Sequence, residues 1–500
     1  MANGFILKPS RNRERLWRKG NAIYICGFSY FLSCYGIFYY VFPDRWKKVW
    51  LLASNYCFYL WAGGMGALLL LHVITAITWL SGILAEKADV DCTSNIKKRQ
   101  IWFGVIAVLT ILCICKYGGS IVNHHFGKGN FQIFLPIGLS FYSLQAIAYV
   151  TDVYRKKLKA EKSYINYSLF LSFFPTIQSG PIEKAENFIP QLKKSQRFDY
   201  DKVKNGLLLM LWGFFEKIAV ADMAAVFVNS VYENYEMYSG GTIWIATILY
   251  AFQLYADFDG YSNIAVGAAG TLGYDLVNNF RQPYFAMSVK DFWRRWHVSL
   301  SGWLREYVYI PLGGNKKGNK YVHIFVTFLV SGLWHGEKLH YLVWGALHGC
   351  FQVIEGMVTD RLNVKNFNGG GIFKSLRKFV RMITVFLAVD LAWLFFRASD
   401  TRTAFLMINQ ICQGLKIEET GGECLRTGIT LLQVFFMGIG LVCMAIVDVM
   451  HVRKIRIRKI TGELPIAVRW VLYYGVIMTL LVIMIANMGM DNSNFIYGQF

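Results

Sequence analysis

Long runs of apolar residues with few interruptions recur along the whole chain. Two of the clearest cover residues 207–231 and 466–488. A run of about 20 apolar residues crosses the hydrocarbon layer of a bilayer as an α-helix, and continuous rather than alternating runs argue against a transmembrane β-barrel. The pattern therefore predicts an all-α polytopic membrane protein with about 11–12 membrane helices.

The predicted membrane segments leave no room for a separate soluble domain of useful size. We therefore interpret residues 1–500 as one membrane-embedded domain, with a basic cytoplasmic segment at 1–20 and a catalytic region at 250–350. The segments are 22–42, 49–84 with a break at Gly63-Gly64, 100–117, 132–151, 163–179, 204–232, 242–270, 321–334, 339–359, 379–397, 427–448 and 466–488.

Lysine and arginine give the chain a net charge of +21 and are concentrated in particular loops. Basic loops of membrane proteins stay in the cytoplasm, so this charge is interpreted as setting orientation. No nucleic-acid-binding module is visible, and nucleic acid is not expected as a partner. The basic loops, predicted to be cytoplasmic, are 8–19, 86–99, 155–162, 183–204, 281–320, 361–381 and 453–459. The poorly basic ones, predicted to face outward, are 118–131, 233–241, 413–426 and the C-terminus after Met488.

This path imposes two conditions on the fold. Residues 163–179 must be re-entrant or paired with a short neighbour, and residues 321–359 must form a helical hairpin that enters the membrane and returns. His335 would then lie at the hairpin turn, where Gly332, Gly336 and Gly345 allow backbones to approach closely. The segment 45–48, which holds three basic residues, falls on the outer side and is an exception to the charge pattern.

Two Trp-His pairs, Trp296-His297 and Trp334-His335, mark the region best suited to chemistry, and five of the nine histidines fall within it. Ionisable groups are expensive in a bilayer and usually mark function. We interpret His335 as a general base that deprotonates an acceptor hydroxyl for attack on an acyl carbonyl. The alternative is an interior histidine bonded to a backbone carbonyl. The histidine spacings do not suit zinc, so no metal site is predicted.

The block 291–305 surrounds His297 with aromatic and cationic side chains. Its tryptophans are suited to lining an apolar tunnel, and its arginines to holding a phosphate or a carboxylate. The alternative is an interfacial helix that anchors at the lipid headgroups. The candidate substrate-binding residues in this block are Trp293, Trp296, Trp303, Arg294, Arg295 and Arg305.

Two further candidate substrate-binding residues are Trp334, beside His335, and Asp257. Of Asp257 and Asp259, one is predicted to bond an arginine or histidine of the block 291–305. The remaining acids in or beside apolar runs are interpreted as partners in structural ion pairs. They are Asp152, Asp222, Asp390 and Glu216.

Several segments taken together resemble the membrane-bound O-acyltransferase (MBOAT) family. They are 135–142, 173–181, 214–218, 253–262, 279–284, 291–305, 307–315, 329–336, 344–349 and 495–500. The resemblance covers nearly the whole chain after about residue 45 and looks closest to the bacterial alginate O-acetyltransferase (AlgI) branch, with the D-alanyl-teichoic-acid protein DltB a more distant cousin. Two departures are Asp259, where many relatives carry serine, and Glu337-Lys338 after the Trp-His-Gly motif.

The resemblance implies a multi-pass enzyme of the cell membrane with a central tunnel, with His335 catalytic and His297 supporting it. An acyl donor, acetyl-CoA or an acylated carrier, would enter from the cytoplasm, and no bound cofactor is expected. The acyl group, expected to be acetyl, would pass to hydroxyls of an extracytoplasmic polysaccharide or cell-wall glycan, or to a secreted SGNH-type acetyltransferase partner.

Three alternatives remain open from the sequence. One is transfer of D-alanine to teichoic acid, and another is an acyltransferase that modifies lipid or protein. The third belongs to a different class, a proton-coupled transporter or channel in which His297, His335 and the aspartates form a proton relay.

Overall fold

The computed structural model describes residues 36–90, 94–126, 133–362 and 372–486. Among these residues every regular element is a helix and no strand is present, which confirms the predicted all-α fold. The basic segment 1–20, most of the predicted segment 22–42 and the motif 495–500 lie outside the described residues.

The α-helices, numbered here in chain order, are α1 Asp44–Val90, α2 Ser94–Phe126, α3 Leu139–Tyr154, α4 Tyr164–Ser172, α5 Phe174–Ile177, α6 Ala185–Lys193, α7 Tyr200–Phe215, α8 Asp222–Glu233, α9 Gly240–Thr271, α10 Val289–Trp293, α11 Val298–Leu304, α12 Lys320–His335, α13 Leu339–Leu362, α14 Ile372–Arg397, α15 Thr401–Gln413, α16 Ile417–Arg426, α17 Leu431–Val452, α18 Ile457–Glu463 and α19 Ile466–Ala486. Two π-helical stretches, Glu216–Ala221 and Arg305–Tyr309, follow α7 and α11.

Five of the described helices are long and apolar enough to cross a membrane by length and composition. The spans are Asp44–Ala88, Lys98–His125, Ser375–Arg397, Leu431–Val452 and Ile466–Ile485. Only 11% of the last span is buried inside the protein, and large apolar side chains such as Val471 are exposed on it. An exposed apolar surface of this kind is suited to lipid contact, so the predicted polytopic membrane protein is confirmed.

The predicted break at Gly63-Gly64 is a kink inside α1. Gly64 has φ 79° and ψ 177°, a backbone conformation open to glycine and strained for other residues. The helix continues on both sides of it. The range Asp44–Val90 therefore consists of two helices that meet at this kink, and the predicted break is confirmed.

The predicted re-entrant stretch 163–179 folds as two short helices, α4 and α5, each buried for most or all of its length. The nine residues of α4 extend over about 14 Å, less than half of a bilayer's hydrocarbon thickness. Short helical backbone of this kind is tolerated at membrane depth where protein covers it. Ser163 caps α4 by accepting a hydrogen bond from the Asn166 backbone amide.

The described residues form two compact units, one made of those from 36 to 210 and of 262–277, the other of residues 211–261 and of those from 278 to 486. Within the described part of the first unit, α1 packs against α2, α3 and α4. Within the second, α12 packs against α13, and α13 packs against α14. The second unit contains all the candidate residues predicted for catalysis and substrate binding.

The predicted hairpin is α12 followed by α13, and His335 is the last residue of α12. A side chain at Gly332 or Gly345 would collide with backbone of the facing helix, at Tyr341 and Phe328 respectively. The glycines therefore set the close approach that the sequence predicted. At the other end of the hairpin the Tyr321 hydroxyl donates to the Asp360 carboxylate at 2.7 Å.

Helix α17 provides a test of the predicted topology because it joins a poorly basic loop to a basic one. In a background without native cysteines, a cysteine replacing Arg453 should react with a membrane-impermeant reagent only after permeabilisation of the cells. A cysteine replacing the exposed Gly421 is the control and should react on intact cells. Labelling of the position-453 cysteine on intact cells would overturn the orientation.

Candidate active site

His335 lies in a pocket of aromatic rings at the tip of the hairpin. The side chain is 2% exposed, and the helix ends at the next residue, Gly336, whose backbone is extended. Ring centroids of Trp334, Trp344 and Phe396 lie 4.8, 4.9 and 5.1 Å from that of His335. The imidazole is thus shielded from bulk water on several sides, which strengthens any electrostatic interaction it makes.

His297 is held in an unusual backbone conformation immediately before α11. Its φ of 43° and ψ of 56° lie in the left-handed region, which is uncommon for residues other than glycine. The side chain is 1% exposed, and its ring meets Phe258 edge-on at 4.6 Å. Burial lowers the pKa of His297 to about 3, so the imidazole is neutral at physiological pH.

Backbone hydrogen bonds from a neighbouring segment of the chain hold the backbone around His297 in place. The Val298 amide donates to the Asn279 carbonyl at 2.8 Å, and the Arg281 amide donates to the Arg295 carbonyl at 2.9 Å. The Ser299 amide also donates to the Asn279 side chain at 3.3 Å. The segments 279–284 and 291–305, singled out separately in the sequence, are therefore joined as one local structure.

Trp334 lies against both candidate histidines. Its ring centroid is 6.4 Å from that of His297 and 4.8 Å from that of His335. The structure thus brings two histidines that are distant in sequence close to one shared indole. That they line a single cavity stays a prediction.

Trp293 and Trp296 are packed inside the protein. Trp296 is 1% exposed and has Phe280 and Trp393 each at 5.0 Å between ring centroids. The indole N–H of Trp293 donates to Nδ1 of His348 at 3.3 Å. Their burial argues against anchoring of these two side chains at lipid headgroups, and their role along a tunnel stays a prediction.

The three arginines of the block differ in their surroundings. Arg294 and Arg305 are exposed, whereas the half-buried Arg295 donates through Nε to Asp291 at 3.0 Å. Trp303 is also half-buried and lies 5.2 Å from Tyr307 between ring centroids. Arg294 and Arg305 are therefore better placed than Arg295 to meet a phosphate from solvent.

Asp257 is paired with a lysine that the sequence interpretation did not assign to it. The Lys217 ammonium lies 2.7 Å from Asp257 and 2.8 Å from Asp222. Asp257 is 1% exposed, and Lys217 belongs to the π-helical stretch after α7. The structural ion pair predicted for Asp222 is confirmed. The predicted bond of either Asp257 or Asp259 to an arginine or histidine of the block 291–305 stays a prediction, as does the substrate-binding role of Asp257.

The sequence interpretation gave no role to His348, which lies fully buried beside Trp293. The sequence spacing could have indicated a role for His348, because His340, Trp344 and His348 are spaced by four residues and so share one face of α13. This face carries polar nitrogen atoms from the hairpin tip into the interior.

Known proteins resemble this chain over a range that includes the residues of the candidate site. The family model described as MBOAT, membrane-bound O-acyltransferase family, matches residues 55–396. The probable alginate O-acetylase AlgI of Pseudomonas putida is 33% identical over 82% of this chain and 85% of its own length.

Two further relatives carry other names. The peptidoglycan O-acetyltransferase of Helicobacter pylori is 29% identical over 76% of each chain. The teichoic acid D-alanyltransferase of Bacillus subtilis is 27% identical over 44% of this chain and 59% of its own length. The family match includes both Trp-His pairs and the whole of the hairpin. The chain therefore belongs to the membrane-bound O-acyltransferase family and is a multi-pass enzyme of the cell membrane.

Proposed function

We propose that this protein transfers an acetyl group to hydroxyls of an extracytoplasmic polysaccharide or cell-wall glycan, directly or through a secreted partner transferase of the SGNH type. The donor is acetyl-CoA or an acetylated carrier on the cytoplasmic side. Support comes from relatives named as acetylases of alginate and of peptidoglycan, which align with most of this chain.

Acetyl is favoured over D-alanyl by the extent of the alignments. The D-alanyltransferase relative aligns with 44% of this chain, and the alginate relative with 82%. The partial alignment keeps D-alanyl transfer as the second candidate, and it is tested in the experiment below.

The observation that carries the proposal is the placement of His335, which is buried at a hairpin tip against Trp334, whose ring also lies 6.4 Å from that of His297. In the reaction His335 takes the proton of the acceptor hydroxyl as the oxygen attacks the thioester carbonyl carbon. The carbon–sulfur bond then breaks, and the proton passes from the imidazole to the leaving thiolate. The products are the acetyl ester and the free thiol, and the imidazole is neutral again.

His297 supports this step without exchanging protons near neutral pH. Burial holds its pKa at about 3, so a neutral imidazole can donate one hydrogen bond to substrate or water. We therefore assign proton transfer to His335 and a supporting hydrogen bond to His297.

The decisive experiment uses the purified protein in liposomes with radiolabelled acetyl-CoA and separate acceptors, namely a uronic-acid polysaccharide and peptidoglycan. Transfer is measured as base-labile acetyl on the glycan, with the His335→Gln variant as the inactive control. Failure with acetyl-CoA but success with a D-alanyl carrier protein would select the second candidate. Solute flux that persists in the His335→Gln variant, with no acyl transfer by the wild type, would favour a transporter.

The arginines of the block 291–305 are expected to bind the phosphates of the donor. Replacing the exposed Arg294 or Arg305 by alanine should raise the apparent KM for acetyl-CoA about tenfold, because a charge-assisted bond is lost. Arg295→Ala should change it less, since Arg295 already pairs with Asp291. Donor titration at fixed acceptor measures this. Unchanged donor KM in all three variants would instead support anchoring at the headgroups.

A further inference from the structure

Three buried N–H donors, one of them beside His335, lie together without a hydrogen-bond acceptor among the described residues. They are the indole nitrogens of Trp344 and Trp393 and the Nε2 nitrogen of His348. All three side chains are at most 1% exposed. Ring centroids are 5.1 Å apart for Trp344 and His348, 5.8 Å for the two tryptophans and 5.9 Å for His348 and Trp393.

The chemistry of His348 follows from its partner. An indole N–H can only donate, so Nδ1 of His348, which accepts from Trp293 at 3.3 Å, carries no proton. A neutral imidazole with a bare Nδ1 carries its proton on Nε2. His348 Nε2 is therefore a donor, like the two indole nitrogens.

His340, one turn earlier on α13, differs from His348. Its Nδ1 lies 3.0 Å from the carbonyl oxygen of Phe395, so Nδ1 is the protonated nitrogen and Nε2 is an acceptor. The cluster of Trp344, His348 and Trp393 thus presents donors alone, and a ligand that satisfies it must offer hydrogen-bond acceptors.

Two of the donor side chains, Trp344 and His348, follow one another along α13, and Trp344 contacts the candidate base. The ring of Trp344 is 4.9 Å from that of His335. His348 is one helical turn further along α13, which is a displacement of about 6 Å. A chain passing along this face would meet hydrogen-bond donors at successive points before its end reached His335.

We propose that Trp344, His348 and Trp393 form a binding site for the carbonyl oxygens of the acyl donor, so that its thioester arm lies along α13 with the acyl group at His335. The inference rests on the proposed acetyl transfer and identifies side chains that hold the donor. Carbonyl oxygen is the matching chemistry because it accepts and cannot donate, and buried donors left unbonded are costly. The carbonyls come from the amides of the pantetheine arm or from the acyl group itself.

The test compares His348→Phe and Trp393→Phe with the wild type, since each change keeps an aromatic ring and removes one N–H. Because His348→Phe also removes the Nδ1 acceptor of Trp293, Trp393→Phe is the cleaner of the two variants. Each should raise the KM for acetyl-CoA about 3- to 10-fold and leave kcat and the acceptor KM unchanged, because uniform binding is lost. Phe351→Leu is the control for packing: Phe351 lies 6.1 Å from His348 between ring centroids and has no N–H. Its donor KM should not change.

Inhibition by CoA, which lacks the acyl carbonyl, shows whether the bound carbonyl oxygens belong to the pantetheine amides or to the acyl group. Weakening of CoA inhibition by the same factor assigns the donors to the pantetheine amides, whereas unchanged inhibition assigns them to the acyl carbonyl. Unchanged donor KM with raised thermal stability would overturn the site, because an apolar ring would then simply have replaced an unsatisfied donor. A wild type that does not use acetyl-CoA would overturn the proposed function itself, and that result needs no variant.

Discussion

Replacement of His335 by alanine should lower the rate of acetyl transfer by about 10²–10⁴-fold, the typical contribution of a general acid–base group. The loss should appear in kcat, because the imidazole acts on the proton that moves in the transition state. The buried position of His335 among Trp334, Trp344 and Phe396 supports this, since bulk water there cannot readily take over as base. Initial rates in liposomes with saturating donor measure the effect.

Two further variants separate chemistry from folding. His335→Gln keeps much of the side-chain volume but cannot accept and return a proton, so it should be as inactive as the alanine variant. His340→Asn is the matched control, because it changes a buried histidine of the same hairpin while keeping a donor near the Phe395 carbonyl. It should retain most of the activity. More than about half of the wild-type rate in either His335 variant would exclude His335 from the mechanism.

The hairpin of α12 and α13 could be predicted because two kinds of local information agreed. Basic residues at both ends required the chain to return to the same side, and Gly332 and Gly345 allowed the two backbones to meet. The π-helical stretch Glu216–Ala221 could not be predicted. Its residues belong to a continuous apolar run, and a change from α- to π-helical hydrogen bonding leaves the apolar pattern intact.

The residues of the candidate site could be predicted from the sequence, but the residues that contact them could be predicted only in part. His335 stands beside Trp334 in the chain, so their contact follows from the sequence. Asp257 and Lys217 are 40 positions apart, and no periodic pattern relates positions so far apart. The packing of Trp296 was also beyond prediction, because an indole is suited equally to an apolar tunnel wall, a headgroup region or a protein core.

The second large effect is expected at Lys217, which joins two helices through buried charge. Its ammonium lies between Asp257 on α9 and Asp222 at the start of α8. The next residue of α9, Phe258, packs on the ring of His297. The ion pairs therefore fix the part of α9 that supports the second histidine of the site.

Lys217→Met should lower the free energy of unfolding by about 3–5 kcal/mol, because removal of one partner leaves buried carboxylates without this cation. Thermal unfolding of the purified protein measures the change. The matched control is Lys204→Met on α7, where the same substitution removes an ion pair to Asp201 whose side chains are 38% and 76% exposed. That pair should contribute at most ~1 kcal/mol.

Replacing Asp257 together with Lys217 tests directly whether the unpaired carboxylate causes the loss of stability. Lys217→Met combined with Asp257→Asn removes one of the two carboxylates that the single change leaves without its lysine, so the double variant should be more stable than Lys217→Met alone. A rise in kcat with this recovered stability would show that Lys217, Asp222 and Asp257 act by holding α9 against His297. Equal melting temperatures for Lys217→Met and Lys204→Met would instead mean that water or other groups compensate the carboxylates. The ion pairs of Lys217 would then not be needed to support the site.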